Sequence, residues 1–154
     1  EGEFESVNVK KALFIFDSPY NVIPSLFRRK IAMGHAKAIT GTKPEEHQND
    51  LKDFARIGQD TFLFNKQFDN WTNSRIARPY PRMLIKFPHF WEHLEYIFDF
   101  LEIPHSEMGK FPKNKIATRN SSFKNLPQEE KVGLINIYKP LDFRIKKFPK
   151  LSII

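Results

Sequence analysis

The chain has 154 residues, the size of one ordinary domain, and is 40% hydrophobic and 28% charged, as expected of a globular protein. No run approaches the ~18 uninterrupted apolar residues of a membrane span, so we expect a soluble protein. The absence of cysteine excludes disulfides, Cys-ligated metals and a thiol nucleophile, and it leaves the compartment open. No targeting segment is visible, because the opening EGEFESVNV is acidic and polar.

The net charge of +7 is located at one end of the chain. Residues 1–109 carry 14 Lys and Arg against 15 Asp and Glu, a balance of −1, whereas residues 110–154 carry 11 against 3, a balance of +8. Such a segment is either a lysine-rich solvated surface or a face that binds anions such as phosphate, nucleic acid or acidic glycan.

The sequence of residues 12–30 predicts a strand, a turn and a helix, and we expect the rest of the chain to be organised around them. The five apolar residues Ala12–Phe16 predict a strand buried on both faces of a largely parallel sheet. Residues 17–21 (DSPYN) supply turn and capping chemistry, and apolar residues at helical spacing then predict a helix. A strand, a polar turn and a helix form the unit at which open α/β sheets bind ligands.

The rest of the chain alternates predicted helices, loops and one clear strand. A loop is predicted at 34–46, helices at 48–57, 61–71 and 91–101, and a second strand at 83–87. A long surface loop is predicted at 109–125, and a last helix begins at Pro127 and is stopped by Pro140. We expect an irregular end or a short helix after Pro140, and a further strand could lie at 7–9.

The order of these elements resembles the PAPS-dependent sulfotransferases, where PAPS is 3′-phosphoadenosine 5′-phosphosulfate. The segment FIFDSPYNVIPSLFRR is similar to the family's strand, turn and helix that bind the 3′-phosphate, and the likeness continues to the basic loop that ends in SSFKN. It implies an α/β fold with a partial P-loop-type parallel sheet flanked by helices and a helix-rich C-terminal part. Residues 1–154 would form a single sulfotransferase-like domain, the C-terminal portion of the larger family fold.

The resemblance also implies the residues of a nucleotide site. Ser25 matches the family's 3′-phosphate serine, but the partner arginine, eight positions earlier, is Asp17 here. A carboxylate repels phosphate, and Arg28 or Arg29 could take over by reaching back toward Ser25. The basic loop resembles the segment that closes over the nucleotide.

Four cations of that loop are its candidate phosphate contacts. Arg119 is the preferred one because its planar guanidinium can hold phosphate with two hydrogen bonds. A flexible, solvated loop is the alternative for all of them. The four residues are Lys113, Lys115, Arg119 and Lys124.

Two parts of the family's catalytic machinery have no counterpart in these residues. The family's phosphosulfate loop and its catalytic histidine both precede the 3′-phosphate unit, and GTK at 41–43 lacks the strand-to-helix context of such a loop. We therefore predict no catalytic residue. His89 and His93 are four residues apart, but no third ligand is evident, so we predict no metal.

Three functions follow as alternatives. The first is a sulfotransferase-like protein that transfers a sulfuryl group from PAPS to a hydroxyl or amine acceptor, with the catalytic parts supplied from outside this chain. The second is a non-catalytic basic module that binds nucleic acid or acidic glycan, which the charge of residues 110–154 and the identity of Asp17 favour. The third is a structural relative without a ligand.

Overall fold

The computed structural model describes residues 8–41, 50–111 and 123–154. It is an α/β protein, mostly helical, with a small mixed sheet of three strands within the described ranges. The strands are β1 (Ala12–Phe16), β2 (Arg82–Lys86) and β3 (Leu151–Ile153). The helices are α1 (Pro19–Arg28), α2 (Ala32–Thr40), α3 (Leu51–Ile57), α4 (Phe64–Thr72), α5 (Leu94–Leu101) and α6 (Gln128–Lys147). Short 3₁₀ turns lie at Phe87–His89, Trp91–His93, His105–Lys110 and Phe123–Asn125. Within the same ranges, every helix is too short or too polar to cross a bilayer.

The described residues divide into two compact units. The first contains residues 8–16, 70–111 and 149–154, and the second contains residues 17–41, 50–69 and 123–148. The α/β class is confirmed, whereas the P-loop-type sheet and the single domain over 1–154 stay predictions.

The sheet lies in the first unit, in the order β1, β2, β3. β1 runs parallel to β2, with Leu13 opposite Met83, and β3 runs antiparallel to β2, with Leu151 opposite Ile85. The prediction that β1 is buried on both faces is wrong, because β1 is an edge strand and its Ile15 is 42% exposed. The central strand is β2, where Met83, Leu84 and Ile85 are each 0% exposed.

The core of this unit packs on the two faces of the sheet. On one face, Met83 and Ile85 join Phe90 and Ile97 in a buried apolar cluster. On the other, the rings of Phe14 and Trp71 stack with their centroids 5.1 Å apart. The helix predicted at 91–101 is present as a 3₁₀ turn, Trp91–His93, followed by α5. Ile97, in the cluster above, belongs to the apolar stripe of α5.

Arg82, the first residue of β2, is only 3% exposed. Its guanidinium donates to the carbonyl oxygens of Trp71 at 3.0 Å and of Asn70, Asn73 and Ile76 at 3.4 Å. These carbonyls lie at the end of α4 and in the turn after it, where a helix leaves acceptors unpaired. Arg82 thus caps this segment.

The core of the second unit is aromatic. Phe54 of α3 lies 5.3 Å, centroid to centroid, from Phe62, and Tyr138 of α6 is fully buried beside them. The Tyr138 hydroxyl donates to Asp60 at 2.7 Å. Burial, together with the charge of Asp60 and this hydrogen bond, raises the pKa of Tyr138 above its ordinary value.

Helix α6 runs through Pro140, so the prediction that this proline stops the helix is wrong. Proline in a helix interior costs about 3 kcal/mol, because it removes one backbone hydrogen bond and crowds the preceding turn. Pro140 lies on the exposed side, while Tyr138, Leu141 and Ile145 continue one buried face on both sides of it. Burying each such side chain contributes about 1.5–3 kcal/mol, which outweighs the cost.

Three further predictions are wrong where the structure describes them. The loop predicted at 34–46 is helical up to Thr40, as part of α2, and residues 42–49 lie outside the described ranges. Asn8 and Val9 are not in a strand. The third strand is instead β3, in the tail that was expected to be irregular or helical.

Candidate functional site

Helix α1 begins at the polar turn that the sequence predicted. Ser18 is its N-cap residue, whose Oγ accepts from the Tyr20 N–H at 3.3 Å, and Pro19 is the first helical residue. The Asp17 carboxylate accepts from the Ser18 N–H at 2.7 Å and from the Asn21 side-chain amide at 3.1 Å. It therefore occupies donors at the start of the helix, where the macrodipole favours a negative charge.

Ser25 lies in the last turns of α1, on the face opposite its buried residues. Ile23 and Leu26 are buried, whereas Ser25 is half-buried and Arg28 and Arg29 are exposed. Ser25 and Arg28 are three residues apart, so their Cβ atoms are separated by only about 5–6 Å. Helical side chains also tilt toward the helix N-terminus, which brings Arg28 and Arg29 within reach of Ser25.

These polar groups have no partner in the described part of the chain. The Ser25 hydroxyl makes no hydrogen bond there, and Arg28, Arg29 and Lys30 make no ion pair there. An unpaired hydroxyl next to exposed guanidinium groups is an arrangement that proteins use to bind phosphate. They stand at the C-terminal end of α1, so the helix N-terminus does not assist them.

Asp17 is far enough from Ser25 to tolerate an anion there. Ser18, the residue after Asp17, is seven positions from Ser25, which is about 10 Å along the helix axis. At that distance a carboxylate repels each unit of ligand charge by about 0.4 kcal/mol in water. Physiological salt screens this further, since its Debye length is ~8 Å. The repulsion at about 10 Å is less than half of the repulsion of about 1 kcal/mol between two unit charges ~4 Å apart in water.

A buried carboxylate anchors the start of α1 to α6. Asp142 is 4% exposed, and it accepts from the Ser18 hydroxyl at 2.5 Å and pairs with the Lys146 ammonium at 2.6 Å. Sequence reasoning missed this residue because α6 was expected to end at Pro140. The available signal was its position, since Asp142 follows Tyr138 and Leu141 on the buried face of α6.

Tyr20 connects this anchor to the end of the basic loop. Its ring stacks on Phe123 with the centroids 4.6 Å apart. Burial and, to a smaller extent, the Asp142 charge raise the pKa of the Tyr20 phenol. The contact places the turn Phe123–Asn125, with the exposed Lys124, against α1.

The remaining predicted site residues are distributed as follows. Lys113, Lys115 and Arg119 lie outside the described residues, whereas Ser25, Arg28 and the C-cap residue Arg29 lie at the C-terminal end of α1. His89 binds Glu92 at 2.7 Å, and the described ranges contain no group of three or more side chains able to hold a metal.

Comparisons with protein-family models, with curated proteins and with solved structures find no match for this chain. The C-terminal end of α1 offers a half-buried hydroxyl donor, Ser25, and two exposed guanidinium groups, those of Arg28 and the C-cap residue Arg29, which suit a phosphate group.

Proposed function

We propose that the chain is the nucleotide-binding part of a PAPS-dependent sulfotransferase, and that α1 holds the 3′-phosphate of an adenosine 3′,5′-bisphosphate group. In the complete reaction, a sulfuryl group would pass from PAPS to a hydroxyl or amine acceptor. The observation that carries the proposal is the presence of the half-buried Ser25 and the exposed Arg28 and Arg29 together at the C-terminal end of α1.

The chemistry of these three side chains fits a phosphate dianion. A serine hydroxyl donates one hydrogen bond, and a guanidinium donates two parallel ones to a pair of phosphate oxygens. The unpaired state of both arginines in the described part means that no ion pair has to be broken before a ligand binds. The rigid attachment of α1 through Ser18 and Asp142 supports the proposal, because a fixed helix holds the donors at a constant spacing.

Sulfuryl transfer would rest on positioning and electrostatic stabilisation, as phosphoryl transfer does. Ser25 and Arg28 would orient the nucleotide from its 3′ side. Lys115 and Arg119 of the basic loop would add phosphate contacts from residues outside the described ranges. The reacting groups themselves are not assigned to any residue of this chain.

The experiment is a thermal-shift titration with adenosine 3′,5′-bisphosphate. A ligand that binds only the folded protein increases the free energy of unfolding by mass action, by about 2.7 kcal/mol when its concentration is a hundredfold above Kd. The melting temperature rises accordingly. We expect Ser25→Ala and Arg28→Gln each to weaken binding roughly tenfold or more, because each removes hydrogen bonds to a charged group. Both side chains are at least partly exposed, so the folded state should tolerate the changes.

Lys30→Gln is the matched control, since it removes the same charge two residues from Arg28. Equal losses for Arg28→Gln and Lys30→Gln would indicate diffuse attraction and no defined site. Wild-type protein that shows no shift with the bisphosphate would reject the proposal.

A second candidate is a polyanion-binding module for nucleic acid or acidic glycan. It is favoured by the balance of +8 in residues 110–154. Binding of DNA or heparin that falls steeply with salt, without saturable binding of the bisphosphate, would select this alternative.

A further inference from the structure

The outward side of α6 exposes an apolar stripe. Val132 is 45% exposed, Ile135 36% and Phe143 56%. At 100° per residue these three side chains fall within an arc of about 80°, whose centre is turned by roughly 140° from the buried Leu134 and roughly 100° from the buried Tyr138. The stripe is about 16 Å long, because Val132 and Phe143 are eleven residues apart. We call these three residues the outer face of α6.

The charge along the outer face of α6 is mostly positive. Lys131, Lys139 and Lys147 accompany the stripe, and Lys139 and Lys147 are exposed. Between residues 131 and 147 the sequence contains one carboxylate, Asp142, which is buried and paired. Aliphatic and aromatic groups are thus interspersed with cations over this range. The exposed Glu129, one turn before Val132, forms an ion pair with Lys52.

We propose that the outer face of α6 binds the surface of an anionic membrane, with Phe143 inserted at the headgroup level. This proposal is independent of nucleotide binding on α1. Peripheral helices bind in this way when apolar side chains lie among lysines, which are attracted to acidic headgroups. A stripe of three apolar side chains supports reversible attachment, which is weak without the added attraction of the lysines.

Two features favour lipid over single-stranded nucleic acid. Base stacking requires a free aromatic face, but Phe143 is the only ring of the stripe, and the Lys147 ammonium lies 4.3 Å from its centroid. The other two members, Val132 and Ile135, are aliphatic and cannot stack on bases. Acyl chains and glycerol regions accept such side chains, whereas a phosphodiester backbone does not.

The test is co-sedimentation of the whole chain with vesicles of phosphatidylcholine alone or of equal parts phosphatidylcholine and phosphatidylserine. We expect binding to the mixed vesicles that decreases with salt, and little binding to phosphatidylcholine alone. Phe143→Ser and Lys139→Glu should each reduce the partition coefficient roughly tenfold. Tyr96→Ser on α5 and Lys66→Glu on α4 are matched controls at exposed positions and should leave it unchanged.

Three results would overturn the proposal. The first is equal binding of wild type, Phe143→Ser and Lys139→Glu to the mixed vesicles. The second is absence of vesicle binding together with oligonucleotide binding that Lys139→Glu weakens, which would assign the face to nucleic acid. The third is absence of vesicle binding with self-association that Phe143→Ser abolishes, which would assign the face to a second copy of the chain. Melting curves of each variant establish that it is folded.

Discussion

Gly133→Ala should destabilise the protein because α3 and α6 touch at this glycine. A Cβ at position 133 would lie 2.5 Å from the carbonyl oxygen of Ala55 and 2.6 Å from its Cβ. Overpacking of this kind costs about 1–3 kcal/mol, and the upper end applies because backbone atoms cannot rotate away. Alanine recovers about 1 kcal/mol through its higher helix propensity. The expected net loss is therefore about 2 kcal/mol.

The assay is urea unfolding followed by circular dichroism, with Gly34→Ala as the control. Gly34 is also helical, in α2, but a Cβ there meets no atom within 4 Å. Gly34→Ala should therefore stabilise the protein by up to about 1 kcal/mol. Equal midpoints for Gly133→Ala and wild type would refute the close approach of α3 and α6.

Three further substitutions test contacts within each unit, two in the second unit and one in the first. Ser18→Ala should cost about 1–2 kcal/mol, because it removes both the cap of α1 and the donor to Asp142. Tyr138→Phe should make the free energy of unfolding fall less steeply with pH at alkaline pH. Since the folded pKa is raised, the unfolded chain loses this phenol proton first, so wild-type stability falls by up to about 1.4 kcal/mol per pH unit above pH ~10. Arg82→Lys should cost about 3 kcal/mol, because an ammonium cannot reach the four carbonyls that the guanidinium satisfies.

Denaturant unfolding measures each of these changes against a matched control. Ser152→Ala, in β3, should be closer to neutral than Ser18→Ala. Tyr96→Phe, at a position that is 49% exposed, is the control for Tyr138→Phe. Arg75→Lys, at an exposed position, should have little effect compared with Arg82→Lys. A contact loses its assigned role if its variant matches its control.

Local signals in the sequence were sufficient where one segment decides its own structure. The run Ala12–Phe16 is β1 with the predicted bounds, and the residues after it cap α1 as expected. The capping chemistry of Ser18 and Pro19 needs only neighbouring residues, so it can be predicted without knowledge of the rest of the fold.

Nonlocal packing decided the features that sequence reasoning missed. β3 is only three residues long and is defined by its pairing with β2, some seventy residues earlier. Helix α6 continues past Pro140 because its buried face outweighs the local penalty. β1 is apolar yet lies at an edge, so an apolar run predicts a strand but not its position in the sheet.

The candidate site also combines features that local sequence predicts with features that depend on residues far apart in the chain. The exposed grouping of Ser25, Arg28 and Arg29 follows from helical spacing and could be predicted from the sequence. The bond between Ser18 and Asp142 joins residues 124 positions apart and could not. Asp17 was expected to oppose a phosphate, but its contacts with Ser18 and Asn21 hold it at the opposite end of α1 from the arginines.

The most direct measurement of the central proposal is a calorimetric titration of the chain with adenosine 3′,5′-bisphosphate and with adenosine 5′-monophosphate. The two ligands differ only in the 3′-phosphate that Ser25, Arg28 and Arg29 are proposed to hold. We predict that the bisphosphate binds at least tenfold more tightly, which is about 1.4 kcal/mol, and that Ser25→Ala reduces this difference. Equal affinity of wild type for the two ligands, or binding of neither, would contradict a 3′-phosphate site on α1.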